Sequence, residues 1–278
     1  MVFFKMYQIL KEHFYIISFD LMGKGLSSSD KETPKSTQGW IDYFLKDINT
    51  FAEKLNLKQF HILGHSLGGY VMGHFANRFP QKIQHIFLLS PGGVNLENLE
   101  YKKRIENRYK KSNWFMKKFA DSIKNKIFKE KKSPMDHFVA GMFSGTIIKK
   151  FYGLRLGLSE SEQKLFHKLF LKIRETKPSS EKCLGYLFNE GPMSDIPLMP
   201  ILKKLHNKKN ICIMFGSMDW MDHKLTTKII KDNKLEIEIE TIQNAGHQLI
   251  FQNPTETANN IYYHLFQNQK KDQKINKN

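Results

Sequence analysis

Apolar positions come along this chain in short runs and in helical stripes. Residues 14–19, Phe-Tyr-Ile-Ile-Ser-Phe, are a compact run rich in Ile and aromatics, and they read as a buried strand. Over residues 38–55, Trp40, Phe44, Ile48, Phe51, Ala52 and Leu55 recur at spacings of three and four, which predicts an amphipathic helix. Residues 60–63 predict a second strand. The segment from Leu67 to Phe79 predicts a helix stopped at Pro80, because proline cannot continue the ladder. A third strand is expected at 85–89, a fourth at 210–215 and a fifth at 235–242, where polarity alternates. Pro254 opens a last helix, expected to reach 267. Residues 96–205 carry helical and loop signals without strong strands. Strands alternating with helices predict an α/β class with a mostly parallel sheet. The expected organisation is a core of residues 1–90 and 201–268, a helical cap inserted at 91–200, and a basic flexible tail at 269–278.

Composition narrows the class. Hydrophobic residues make up 40% of the 278, enough for a core and too many for a disordered chain. Cys183 and Cys212 are the only cysteines and lack metal-ligand spacing, which excludes a disulfide scaffold or zinc module and suits a reducing, cytoplasmic compartment. No apolar run approaches the roughly 18 residues of a membrane span. The apolar N-terminus is interrupted by Lys5, Gln8, Lys11 and Glu12, unlike a signal peptide. The net charge of +17 is uneven, with 22 basic and 12 acidic side chains in residues 96–200. A basic, aromatic-laced segment (Trp114, Phe115, Phe119, Phe138, Phe143, Phe151) fits either peripheral contact with an anionic membrane or lipid-droplet surface, or a compositional bias with ordinary helix packing. No nucleic-acid motif accompanies the charge.

The chemistry concentrates in Gly64-His65-Ser66-Leu67-Gly68, a G-x-S-x-G motif between a predicted strand and a predicted helix. A sharp strand-to-helix turn lifts Ser66 clear of the sheet, and Gly64 and Gly68 are expected to remove side chains that would clash there. The helix N-terminus favours a developing negative charge, with the Leu67 N–H as oxyanion donor. A serine nucleophile needs a base, and the base needs an orienting acid. Asp219 follows the fourth strand directly, with Asp222 three residues on as the alternative acid. His247 follows the fifth strand, behind Ala245-Gly246. The order Ser, acid, His matches the chain order of this motif. His61, His65, His74 and His85 lie in or beside core elements, where packing is the default role; His223 is a weak competitor near the acid loop. No metal or organic cofactor is implied.

With these stretches in place, the sequence resembles the α/β-hydrolases from Phe14 to the last helix, except for much of 100–190, where only length and helicity fit. It resembles most closely the lipid-droplet-associated subgroup of lysophospholipase and lysophosphatidate-acyltransferase-like proteins. Phe-Tyr-Ile-Ile-Ser-Phe-Asp-Leu-Met-Gly-Lys-Gly, Gly-His-Ser-Leu-Gly-Gly and Phe-Gly-Ser-Met-Asp-Trp-Met-Asp carry the likeness. The resemblance implies Ser66 as nucleophile, Asp219 as acid and His247 as base, acting through an acyl-enzyme on a lipid acyl ester. In part of the subgroup the acid lies three positions later, which corresponds to Asp222. Other expectations are a small-ester or peptide hydrolase, and a catalytically silent lipid-surface or lipase-regulating protein.

Two departures carry consequences. A subgroup motif of His followed five residues on by Asp, linked to acyl transfer, here has Gln252 in the Asp place. The strand and His-Gly loop that would precede Met1, and donate a second oxyanion N–H, are not in the chain, which reads as truncated. The run at 14–19 corresponds to the family's fourth strand and 60–63 to its fifth, with the intervening third missing, so the run at 14–19 lacks its ladder partner. Weak ester hydrolysis is expected of residues 1–278 alone.

Overall fold

The computed structural model describes residues 3–133, 153, 156–176, 179–189, 191–221 and 223–275. The chain forms two compact units: Met1–Ser18, Lys58–Pro91 and Leu202–Asn278 in the first, and Phe19–Leu57 and Gly92–Ile201 in the second.

The first unit is built on one sheet of four parallel strands in chain order: β1 (Phe60–His65), β2 (Ile83–Leu89), β3 (Asn210–Gly216) and β4 (Glu238–Ile242). Ile86, Phe87, Leu88 and Leu89 of β2 and Ile211 to Phe215 of β3 are all buried, as expected of central parallel strands covered on both faces. β4 lies at an edge and is only partly covered: Ile242 is buried, whereas Glu238 and Thr241 are exposed. It begins at Glu238, later than the alternation from Leu235 suggests.

The helices wholly within this unit are α1 (Phe4–Leu10), α3 (Leu67–Arg78), α9 (His223–Asp232), α10 (Leu249–Gln252) and α11 (Pro254–Ile275); the numbers α2 and α4 to α7 belong to the second unit. α1 buries Met6 and Leu10, and Phe4 packs edge-on against Phe251 of α10. α11 runs to Ile275, past the expected end at 267, because the intervening Gln, Asn, Lys and Asp residues include no Gly or Pro to stop it. Helix α9 adds to the elements expected above.

The run at 14–19 is not a strand. Residues 14–20 are irregular and none is fully buried, with Tyr15 93% exposed. Hydrophobic patterning supplies the face of a strand but not its hydrogen-bond partner, and among the described residues no strand pairs with this segment.

In the second unit, α2 (Thr37–Lys54) is the predicted amphipathic helix. Ser36 caps it, its side chain accepting from the Gly39 N–H at 3.1 Å. Trp40, Ile41, Phe44, Leu45, Ile48 and Ala52 are buried, whereas Leu55 lies just beyond the helix and is exposed. The unit also contains α4 (Leu99–Lys111), α5 (Trp114–Lys124), α6 (Glu160–Glu175), α7 (Leu184–Leu187) and, up to Ile201, the start of α8 (Met199–Leu205). Thr37 Oγ1 donates to the Tyr186 carbonyl at 2.7 Å, joining α2 to α7. Trp114 is 72% exposed; Phe138, Phe143 and Phe151, and the side chains of Phe115 and Phe119, lie outside what is described. Cys183 and Cys212 are buried free thiols. Among the described residues no helix is long and apolar enough to cross a membrane.

Candidate active site

The four parallel strands end at one edge of the sheet, and each is followed by a loop that supplies a polar group: Ser66 after β1, Ser90 after β2, Asp219 after β3 and His247 after β4. Ligand sites of open α/β sheets occupy this edge.

Ser66 stands between β1 and α3 with φ 55° and ψ −116°, a backbone state that side-chain-bearing residues rarely adopt. Its N–H donates to the Leu89 carbonyl at 2.9 Å, and its carbonyl accepts from the Tyr70 N–H at 3.1 Å, so sheet and helix both hold the turn. A Cβ on Gly64 would lie 2.4 Å from the Gly68 carbonyl oxygen, which explains that glycine. Gly68 is different from expectation: a Cβ there meets nothing within 4 Å. The second close approach is at Gly69, where a Cβ would lie 3.0 Å from both the Gly64 oxygen and Pro91 Cβ. The Leu67 N–H sits in the first turn of α3, where backbone donors have no carbonyl within the helix.

His247 Nε2 lies 3.0 Å from Ser66 Oγ. On its other side Nδ1 lies 3.3 Å from Asp219 Oδ1, within ion-pair reach but off the line of a straight hydrogen bond. A carboxylate beside Nδ1 favours the tautomer with its proton there, leaving Nε2 to accept from the serine. Asp219 has no exposed side-chain surface and His247 has 13%. Burial alone would raise the Asp219 carboxyl pKa. The close His247 ring, the Ser90 hydroxyl at 2.5 Å from Oδ2 and the Met221 N–H at 2.9 Å from Oδ1 outweigh it, and hold the group below its ordinary value.

The loop that carries His247 is tied at several points. The Met218 N–H donates to the Ala245 carbonyl at 2.8 Å, and the Gly246 N–H donates to Gln252 Oε1 at 2.7 Å. His65 Nε2 lies 2.7 Å from the His247 carbonyl oxygen, and the two imidazole rings are 5.0 Å apart. The end of β3 comes so close that a Cβ on Gly216 would stand 2.3 Å from the Ala245 and Gly246 oxygens. The Trp220 ring lies 5.2 Å from that of His247.

The structure thus brings Ser66, His247 and Asp219 into one linear arrangement. Asp222, the alternative acid, lies outside the described residues. Ser90 escaped sequence reasoning, although its Ser-Pro-Gly-Gly ending to a strand marks a tight turn, and its φ of 41° is a second rare backbone state. Packing or a surface role is the default for a histidine at the position of His65, yet it touches the loop that carries His247. Away from this edge, Glu238, Glu240 and His264 form the one group among the described residues whose spacing would suit a metal ion. There His264 Nε2 and Glu240 Oε1 already pair at 3.0 Å.

A family model of the α/β-hydrolase fold matches residues 2–128. A 1-acylglycerol-3-phosphate O-acyltransferase of Arabidopsis thaliana is 26% identical over 91% of this chain and 60% of its own length. A (lyso)-N-acylphosphatidylethanolamine lipase of Homo sapiens is 34% identical over 28% of this chain and 23% of its own. The chain therefore spans about 60% of the length of the acyltransferase it matches. Among solved structures, a bacterial membrane phospholipase A superposes with a TM-score of 0.63 at 16% identity, covering 95% of this chain and 74% of that one. A Rhodococcus 2-hydroxy-6-oxo-6-phenylhexa-2,4-dienoate hydrolase gives 0.61 at 13%, covering 94% and 83%. At these identities the structural likeness speaks for the fold alone.

Proposed function

The chain has the α/β-hydrolase fold and is similar to lipid acyltransferases and lipases, and from this we propose that it is a serine hydrolase of lipid acyl esters. The observation that carries the reading is the Ser66 Oγ to His247 Nε2 distance of 3.0 Å, with Asp219 on the far nitrogen. In the proposed reaction Ser66 Oγ attacks the ester carbonyl carbon while His247 Nε2 takes its proton. The carbonyl oxygen becomes an oxyanion beside the Leu67 N–H at the start of α3. As the tetrahedral species collapses, the carbon–oxygen bond to the leaving group breaks and His247 returns the proton to that oxygen. Water, deprotonated by the same nitrogen, then attacks the acyl carbon; the bond to Ser66 Oγ breaks, His247 returns the proton to that oxygen, and the acid is released. Asp219 stays ionised throughout and holds the imidazolium.

A lipid substrate is supported by the activities of the relatives, a lysophosphatidate-type acyltransferase and a phospholipid lipase. It is also supported by the second unit, where α4 exposes Lys102, Lys103, Arg104, Lys110 and Lys111 beside the exposed Leu99, Ile105 and Tyr109. Such a surface suits peripheral contact with an anionic lipid layer. Gln252 bears on acyl transfer. Its side-chain oxygen accepts from the loop that carries His247, a task a carboxylate could also perform, so hydrolysis does not require an Asp at this position.

A fluorophosphonate probe tests the reading, since it labels only an activated serine. Labelling should occur and should vanish in Ser66→Ala, and a fatty-acyl ester series should favour longer chains over acetate. A folded protein that resists the probe would instead support the silent lipid-surface reading.

A further inference from the structure

We propose that His65 is a positioning residue for the catalytic base, holding the His247 loop through a hydrogen bond to the His247 carbonyl; this rests on the serine-hydrolase reading above.

A carbonyl oxygen can only accept, so at 2.7 Å the His65 Nε2 must carry the proton. Either the neutral Nε2–H tautomer or the imidazolium could supply that donor. Its surroundings keep it neutral. Burial and the neighbouring His247 lower its pKa to about 4, against a smaller opposing pull from the carbonyl contact and Asp219. A second imidazolium 5 Å from the base would oppose the positive charge His247 must carry in mid-reaction. A neutral donor ties the loop without that penalty.

The position in the chain gives the contact its use. His65 is the last residue of β1 and Ser66 follows it at once. The strand pairs His65 with Leu89, and Ser66 donates to that same Leu89, so the backbone of the elbow is fixed by the sheet. The His65 side chain then reaches from this fixed point to the residue that must meet Ser66 Oγ. Nucleophile and base, 181 residues apart in sequence, are referenced to one dipeptide. Displacement of a reacting group by about 1 Å can cost on the order of a hundredfold in rate, so a tie of this kind acts on turnover more than on substrate binding.

His65→Phe fills the ring space without a donor, and His65→Gln returns an N–H near the Nε2 position. Wild type and both variants are to be compared by fluorophosphonate labelling rate and by kcat and KM on a short-chain ester, with thermal unfolding alongside. Independently, long-range nitrogen–proton NMR of histidine-labelled wild type reads the His65 tautomer. The expectation is a His65 Nε2–H tautomer, a fall of about 10- to 100-fold in labelling rate and kcat for His65→Phe, KM within about threefold, and substantial recovery in His65→Gln. Equal rates in wild type and His65→Phe overturn the proposal. Equal losses in both variants do so too, because packing alone would then explain the site. Wild-type protein that never labels defeats the hydrolase reading instead. The NMR spectrum then decides the contact by itself: an Nδ1–H tautomer, or an imidazole titrating near 6.5, overturns it.

Discussion

Ser90 donates its hydroxyl hydrogen to Asp219 Oδ2 at 2.5 Å from a backbone held at φ 41°, so the acid is oriented by the strand beside the one that carries it. The Ser90 N–H continues the sheet by donating to the Met214 carbonyl at 2.7 Å, and the residue is completely buried. Removing the hydroxyl leaves a buried carboxylate short of one donor. Losing a hydrogen bond to a charged group costs about 1.5–3 kcal/mol. Ser90→Ala should therefore lose about tenfold or more in kcat/KM on an acyl ester. If Ser90→Ala and wild type have the same kcat/KM, Asp219 does not need this support.

The glycines of the elbow should differ in their tolerance of a methyl group. Gly64→Ala drives a Cβ into backbone and should unfold the turn or abolish probe labelling. Gly69→Ala should cost less, since the contacts at 3.0 Å require a shift of a few tenths of an ångström. Gly68→Ala meets open space and lies in the first turn of α3, where alanine is the better helix former by up to about 1 kcal/mol. Thermal melts of the three variants should rank Gly68→Ala highest and Gly64→Ala lowest. Any other order means that the elbow is shaped differently in solution.

Acid should destabilise the first unit in two windows. The folded pKa of His65 lies at about 4, below its ordinary 6.5, so unfolding takes up a proton between these values. Its contribution is complete above pH 6.5 and is lost as pH falls towards 4, an effect on the order of 3 kcal/mol at 1.36 kcal/mol per pKa unit. Asp219 is depressed below its ordinary 3.8, so its contribution is present above that value and is lost at still lower pH. The melting temperature measured from pH 7 to 4 should fall, and should fall less in His65→Phe. Identical pH slopes in the two proteins would show that His65 is not held neutral.

Binding to lipid surfaces should depend on their charge. Each Lys or Arg near an anionic layer contributes about 1 kcal/mol, and salt screens this within about 10 Å at 0.1 M. Co-sedimentation with phosphatidylserine-containing vesicles should exceed that with neutral vesicles and should weaken at high salt. Trp114→Ala should reduce it, because the exposed ring and the Lys118 ammonium 5.1 Å from its centroid lie on the same basic unit. Equal binding to charged and neutral vesicles would leave the lysines of residues 96–200 as ordinary surface.

Much of this was legible in residue order. Ser66, Asp219 and His247 could be placed because each follows a strand with a clear apolar signature, and parallel strands bring their ends to one edge. What escaped was decided by contacts between distant segments. The run at 14–19 has strand composition, but hydrogen-bond partners are not encoded in the run itself. Gly68 belongs to the motif and Gly69 does not, yet the close approach falls on Gly69, because Pro91 arrives from another strand. His65, at the end of β1, and Ser90, just after β2, meet their partners only once sheet register has brought the strand ends together. Apolar periodicity is silent about such contacts.

The partnership of β2 with β3 has an evolutionary consequence. Leu89 and Met214 are register partners, although the segment from Gly92 to Ile201 is strung between their strands. Loop-closure entropy grows only with the logarithm of length, about 0.6 kcal/mol for each doubling. That is less than the roughly 0.8 kcal/mol gained by burying one methylene. Selection can therefore lengthen, trim or replace this segment at almost no thermodynamic cost to the sheet. Ser66, Ser90, Asp219 and His247 all stand outside it, so the part of the gene free to diversify is separate from the part that must stay constant.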